Sequence, residues 1–251
     1  MGIKDKVIII TGAGQGIGAA CAVKLAENGA KVIIADLNEE KAKNTAKKIT
    51  DSGHKADAFK TDVSKENSVQ NLVEVVIKKY ERIDVLINFA AVFSTIKTKP
   101  IENIDKEEWD NLMAVNLGGI FLCCKMVVPY MKNQKQGKII NISSASVFMG
   151  KPYYIHYVTS KAGVVGFTRA LARELGDYNI NVNCVTPGYT KTEVPRKTTS
   201  SDQLKEIISR QCIKRIGTPE DILGVILLLA SEDSDFLSGQ TINVDGGDSF
   251  H

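Results

Sequence analysis

Proline and tryptophan are scarce, with six and one in 251 residues, and no proline-rich, serine-rich or repeated tract occurs. Collagen-like and low-complexity architectures are therefore excluded. Charge of one sign is lacking too. Thirty-two Lys and Arg stand against 29 Asp and Glu, and the net charge of +3 is spread along the chain. That balance points to neither a nucleic acid nor a membrane surface as partner. The longest purely apolar run, Val225 to Ala230, is far too short to span a bilayer. Met1-Gly2-Ile3-Lys4-Asp5-Lys6 leads straight into a strand pattern, with no signal peptide to read. Lys6 stands where a myristoylation motif needs Ser or Thr. Five cysteines (Cys21, Cys123, Cys124, Cys184 and Cys212) are an odd number without C-x-x-C spacing. They read as reduced thiols in a cytoplasmic protein, with Cys123 and Cys124 as core residues and no metal site. No composition break appears, so residues 1–251 are expected to form one domain.

What is present begins with Val7 to Thr11, a β-branched run of the kind buried on both faces of a sheet. It ends in Thr11-Gly12-Ala13-Gly14-Gln15-Gly16-Ile17-Gly18, and an apolar helix pattern follows to Ala26, closed by Gly29. Lys31 to Asp36 is a second buried strand. Strand, glycine turn, helix and strand make a βαβ unit. The turn fits T-G-x-x-x-G-x-G through Thr11, Gly12, Gly16 and Gly18, not G-x-G-x-x-G, because position 17 is Ile17. The physical demand is the same: bare backbone must approach a pyrophosphate, and a helix N-terminus offers free N–H groups. Asp36 follows Gly18 by eighteen residues and can accept hydrogen bonds from the adenosine ribose. It would repel a 2′-phosphate, and neither Gln15 nor Leu37 supplies a cation to attract one. NAD is therefore the expected coenzyme.

The alternation continues. Helices are predicted over Asn38 to Ser52, Ser64 to Tyr80 (Ser64 as N-cap), Asp105 to Met131, His156 to Gly176 and Thr218 to Ala230. Strands are predicted over Lys55 to Thr61, Ile83 to Asn88, Lys138 to Ile142, Ile180 to Val185 and Gln240 to Val244. The result is an α/β doubly wound parallel sheet of about seven strands with helices on both faces. Ligands of such sheets bind beyond the carboxyl ends of the strands.

Tyr157 and Lys161 are four apart on the predicted helix and so project side by side. A free tyrosine, with a pKa of about 10, is a poor base at neutral pH. An adjacent ammonium favours the phenolate and makes the pair a proton-transfer device.

With these residues in view, the sequence resembles the short-chain dehydrogenase/reductase family, in its common form of about 250 residues and over nearly the whole chain. The resemblance rests on the Thr11–Gly18 turn, Asn116, Ser144 thirteen residues before Tyr157, and Tyr157-x-x-x-Lys161. Asp62-Val63, Pro187-Gly188 with Thr192, and the closing Ser238-Gly239-Gln240-Thr241 and Asp245-Gly246-Gly247 add to it. It implies a Rossmann-like fold and an NAD(H)-dependent oxidoreductase interconverting a secondary alcohol and its ketone. Tyr157 would be the general acid/base, Lys161 would bind the nicotinamide ribose, and Ser144 would donate to the substrate oxygen. Asn116 would hold a water linking Lys161 to solvent. Gly12, Gln15, Gly16, Ile17 and Gly18 would cradle the pyrophosphate, with Asp36 and Leu37 at the ribose and Asp62 and Val63 flanking the adenine. Asn88 and Ala90 would also line the cofactor, Pro187, Gly188 and the Thr190 backbone would hold the carboxamide, and Thr192 would lie near the pyrophosphate. The resemblance also suggests a homotetramer.

One departure is Asn88-Phe89-Ala90-Ala91, where the family usually has N-N-A-G. A local repacking around Phe89 is expected. Specificity should lie in Val92 to Pro100, Ala145 to His156 and a substrate lid from about 189 to 215. Phe93, Val147, Phe148, Met149, Tyr153, Tyr154 and Tyr189 could form an aromatic pocket for a small-molecule alcohol or ketone. Arg196 and Lys197 read as solvated, and His156 points away from Tyr157. Two alternatives stand beside the main reading. One is a reductase of 3-oxoacyl carrier-protein thioesters, against which Asp36 argues mildly, since biosynthetic reduction usually uses NADPH. The other is a nucleotide-binding scaffold without turnover.

Overall fold

A computed structural model describes residues 2–195 and 201–251, so Arg196 and Lys197 lie outside the described residues. Seven parallel strands form one sheet in the order β3-β2-β1-β4-β5-β6-β7. They are β1 (Val7–Thr11), β2 (Lys31–Asp36), β3 (Lys55–Lys60), β4 (Val85–Asn88), β5 (Gly137–Ile142), β6 (Ile180–Pro187) and β7 (Thr241–Val244). β1 is buried at every position, as its unbroken β-branched run requires. The flanking strand β3 reads Lys-Ala-Asp-Ala-Phe-Lys and is only half covered.

Successive side chains of each central strand feed opposite layers. Ile8, Ile10, Val32 and Ile34 pack under α1 (Gly16–Glu27), α2 (Glu39–Asp51) and α9 (Pro219–Ala230). Val7, Ile9, Ile33 and Ala35 pack under α3 (Glu66–Tyr80), α5 (Gly119–Gln134) and α7 (Ile155–Leu175). Cys123 and Cys124 are in that second layer, and burial pushes the Cys123 thiol up to about 12, which leaves it inert at neutral pH. Three shorter helices, α4 (Lys106–Met113), α6 (Ser146–Met149) and α8 (Ser201–Arg210), lie in the segments that follow β4, β5 and β6.

Several local expectations are corrected. The helix predicted from Asp105 to Met131 is α4, a π-helical turn (Ala114–Gly118) and α5, continuous to Gln134. Its length and composition would suit a bilayer, but Ile120, Cys123, Cys124, Val127 and Met131 pack it onto the sheet. The π turn falls at Asn116, whose side chain bonds the Val92 backbone twice. Ser64 does not cap α3. Lys65 holds the N-cap position, while Ser64 Oγ donates to Asp62 Oδ1 at 2.7 Å. Apart from these corrections, the segment expected to be a lid contains the helix α8 among its described residues.

β1 lies between β2 and β4, so the winding direction reverses there. Thr11 pairs with Ala35 on one side and Asn88 on the other. The crevice beyond these strand ends is where this topology leaves room for a ligand.

Candidate active site

A cleft of about 640 Å³ opens at that switch point. Gly12, Gln15, Gly16, Ile17 and Gly18 form its floor, and Asp36, Leu37, Asp62 and Val63 its far end. Ala90, Pro187, Gly188 and Thr192 line the middle, with Ser144, Tyr157 and Lys161 at the near end. Most of the residues singled out from the sequence thus meet in one place.

The glycine turn is built by exclusion of side chains. Gly12 has φ +66°, and a Cβ on it would lie 2.7 Å from the Ala90 backbone. A Cβ on Gly18 would lie 2.4 Å from the Gly12 carbonyl oxygen. β1 can therefore turn into α1 against the end of β4 only with bare backbone at both positions. The Asp36 carboxylate reaches across to accept the Gly14 N–H at 2.8 Å and the Asn38 N–H at 2.9 Å. A carboxylate has about four acceptor sites, so room remains for ribose hydroxyls. A cation that sequence spacing did not suggest stands nearby, since Lys41 Nζ donates to Gln15 Oε1 at 2.5 Å.

At the near end, α7 carries Tyr157 and Lys161 into the cleft. Tyr157 is 7% exposed and wedged between two rings, Phe93 at 5.1 Å and Tyr154 at 6.1 Å between centroids. Lys161 Nζ lies 5.9 Å from the Tyr157 ring centre and donates to the Ile142 carbonyl at 2.8 Å. Burial lowers its pKa to about 8, with the nearby Cys184 opposing the shift. At neutral pH most of the population remains an ammonium, with further N–H donors beyond the one given to Ile142. The adjacent serines divide their roles. Ser143 Oγ donates to the Lys161 carbonyl at 2.7 Å and is buried. Ser144 Oγ accepts from Ser146 N at 3.3 Å and Ser146 Oγ at 3.0 Å, which leaves its own hydrogen to donate into the cleft.

Three predicted site residues do not line the cleft. Asn116 donates to Ser160 Oγ at 3.2 Å besides its two bonds to Val92, so its side chain positions the start of the 92–100 loop. Asn88 Nδ2 donates to Asn141 Oδ1 at 2.9 Å, and Asn141 donates on to Thr168 at 3.0 Å. That chain ties β4 to β5 and α7, while Phe89 packs against the α1-side core. Thr190 is buried, with its hydroxyl on the Gly188 carbonyl at 3.2 Å.

The predicted aromatic pocket is not assembled. Only Phe93 of its seven residues lines the cleft. Tyr154 is buried behind Tyr157, Tyr153 is 59% exposed, and Phe148 stacks on the His251 ring at 4.1 Å. His156 points away from the cleft as expected, bonding Glu108 Oε1 at 3.2 Å. Sequence reasoning missed Val115 and Ile142 in the wall, while Val92, Ser94 and Val194 reach it from segments expected to set specificity. It also missed Glu193, whose Oε1 accepts the Gly16 N–H at 2.7 Å. These carry no motif: Val115 reaches the cleft from the π-helical turn and Ile142 from the end of β5, while Glu193 comes to Gly16 from a loop.

The cleft fits a dinucleotide. The α1 terminus has no side-chain cap or first-turn acid of its own, and an acidic acceptor stands at the end of β2.

Comparison with known proteins agrees. Residues 12–249 match the family model described as enoyl-(acyl carrier protein) reductase. The chain is 38% identical over 247 residues to the 3-oxoacyl-[acyl-carrier-protein] reductase FabG of Thermotoga maritima, covering 98% of this chain and 99% of that one. It is equally 38% identical over 247 residues to the (2S)-[(R)-hydroxy(phenyl)methyl]succinyl-CoA dehydrogenase subunit BbsD of Thauera aromatica, covering 98% of each. The crystal structure of gox2181 superposes with a TM-score of 0.91 at 34% identity, covering 97% of this chain and 95% of that one. On this fold, this cleft and these relatives, the chain belongs to the short-chain dehydrogenase/reductase family of nicotinamide-dependent oxidoreductases.

Proposed function

We propose that the protein interconverts a 3-oxoacyl thioester and the corresponding 3-hydroxyacyl thioester, with NAD(H) as preferred coenzyme. The observation that carries the reading is the convergence of Ser144, Tyr157 and Lys161 on one end of a cleft whose other end holds Asp36. The thioester part is supported by relatives named for a 3-oxoacyl carrier-protein substrate and for a secondary alcohol carried on an acyl-CoA. The loss of the expected aromatic pocket also argues against a bulky aromatic ketone.

The nicotinamide supplies or accepts the hydride. Tyr157 Oη would give a proton to the substrate oxygen in reduction and take it back in oxidation. The Lys161 ammonium would hold the ribose and favour the phenolate. Ser144 Oγ, with its acceptor positions filled by Ser146, would donate to the substrate oxygen as charge develops there. Asp36 would accept from the adenosine ribose and disfavour a 2′-phosphate, with Lys41 offering that phosphate a weaker foothold. A homotetramer and a cytoplasmic location complete the reading. Five free cysteines suit a reducing compartment.

The test is a turnover panel of 3-oxoacyl and 3-hydroxyacyl thioesters, 2-enoyl thioesters and plain ketones with each coenzyme. The expected result is highest kcat/KM for the 3-oxo/3-hydroxy pair with NAD(H). Preference for plain ketones or enoyl thioesters would overturn the substrate, and coenzyme binding without any turnover would favour a scaffold.

A further inference from the structure

We propose that Glu193 is a tethered anion standing at the α1 terminus where the coenzyme pyrophosphate would bind, so that the coenzyme must displace it. The inference rests on the coenzyme part of the reading above and is independent of the thioester.

Two other helices in this protein have their N-termini satisfied from within. α2 begins with Asn38 accepting from Lys41 N and carries Glu39 and Glu40 in its first turn. α9 begins with a capping box between Thr218 and Asp221, with Glu220 beside it. α1 has neither a side-chain cap nor a first-turn acid. Its anion comes instead from 177 residues away, through the 2.7 Å bond from Gly16 N to Glu193 Oε1. The neighbouring Val194 completes the contact, its Cγ2 lying 3.4 Å from where a Gly16 Cβ would be. Thr192 and Val194 are themselves part of the cleft wall. Gly16 lines both this cleft and an adjoining groove, and Glu193 lines the groove, so the acid stands at the rim the two share.

A pyrophosphate at this terminus would use the same first-turn amides and the same partial positive charge. Two anions crowded onto one helix end repel each other. Glu193 is exposed, so its bond is weak enough to break and leave the site to the coenzyme. Meanwhile it holds the turn and the segment after Gly188 together. The apparent affinity for coenzyme then falls by the fraction of molecules in which the terminus is free.

The experiment is a calorimetric or fluorescence titration of wild type, Glu193→Gln and Glu193→Ala with adenosine, ADP and NADH. Adenosine lacks the phosphates and reports the Asp36 end alone. Both variants should bind ADP and NADH about three- to tenfold more tightly than wild type, with adenosine unchanged. Weaker ADP and NADH binding by Glu193→Ala would mean that the side chain clasps the bound coenzyme, and would overturn the proposal. Unchanged ADP binding in both variants overturns this proposal alone. Wild-type protein that binds neither ADP nor NADH overturns it together with the coenzyme reading.

Discussion

Two lysines lean on the two ends of β5, both buried, and the protein treats them in opposite ways. Lys138, at the amino end, is 4% exposed in its side chain and fully engaged. Its Nζ lies 2.7 Å from Asp235 Oδ1 and 3.2 Å from both Asn181 Oδ1 and Ser234 Oγ. Lys161, at the carboxyl end, has the neutral Ile142 carbonyl at 2.8 Å, and among the described residues no carboxylate forms an ion pair with it. Burying an ammonium without a counter-ion costs stability, and its pKa falls for that reason. The amino edge of the sheet spends its lysine on holding β5, β6 and the 231–238 turn together. The carboxyl edge keeps an unneutralised cation facing a cleft, which is useful only if something negative or electron-rich arrives there.

The largest effect should come from exchanging the two. Lys161→Met is expected to lower kcat by about 10³-fold with its fold intact, while Lys138→Met leaves kcat within about twofold, being remote from the reacting atoms. Steady-state assays of both variants check this; equal losses would erase the distinction between the two edges. Next is the far end of the cleft. Asp36→Ala should shift the NAD/NADP ratio of kcat/KM toward NADP by about tenfold or more, through loss of ribose acceptors and relief of repulsion. Adding Lys41→Ala should give back part of that shift, and an unchanged ratio in Asp36→Ala would remove Asp36 from coenzyme choice.

Stability should show the mirror image. Lys138→Met leaves Asn181, Ser234 and Asp235 without their donor and should cost about 1–3 kcal/mol in urea unfolding. Lys161→Met should cost less, because it removes an uncompensated buried charge. The smallest effect is in pH. The folded pKa of Lys161, about 8, lies below its ordinary 10.5. Between those values the unfolded chain holds a proton that the folded one does not, so Lys161 makes stability rise with pH through that window. Below about 8 its cost is constant. The difference in unfolding free energy between wild type and Lys161→Met should therefore move in favour of wild type from pH 8 upward. A pH-independent difference would contradict the assignment of an unpaired buried ammonium.

The same contrast explains what was legible in the sequence. Tyr157 and Lys161 share a helix face by spacing alone, and Gly12, Gly16, Gly18 and Asp36 sit where a strand must end. Their places in the cleft follow from local periodicity plus one topological rule. The cap at Ser64 failed because the helix starts one residue later, with Lys65 at the N-cap, while the Ser64 N–H and hydroxyl both donate to Asp62 Oδ1 in a turn before it. Asn116 was legible through the family resemblance but not as the partner of Val92, since that contact needs the 92–100 loop to fold back over the π turn. The aromatic pocket was misread for a related reason. Phe148 found the C-terminal His251, and Tyr154 was buried behind Tyr157, neither of which spacing can foresee. Glu193 and Lys41 reach the glycine turn from distant segments, and no motif connects them to it.

In the proposed reaction the Tyr157 hydroxyl moves the proton while a separate part of the cleft holds the coenzyme. Tyr157→Phe tests it most directly, with NADH affinity measured by fluorescence titration alongside turnover of a 3-oxoacyl thioester. The variant should lose at least about 10³-fold in kcat with NADH affinity changed by less than about threefold. Turnover that survives the loss of that hydroxyl would contradict that role.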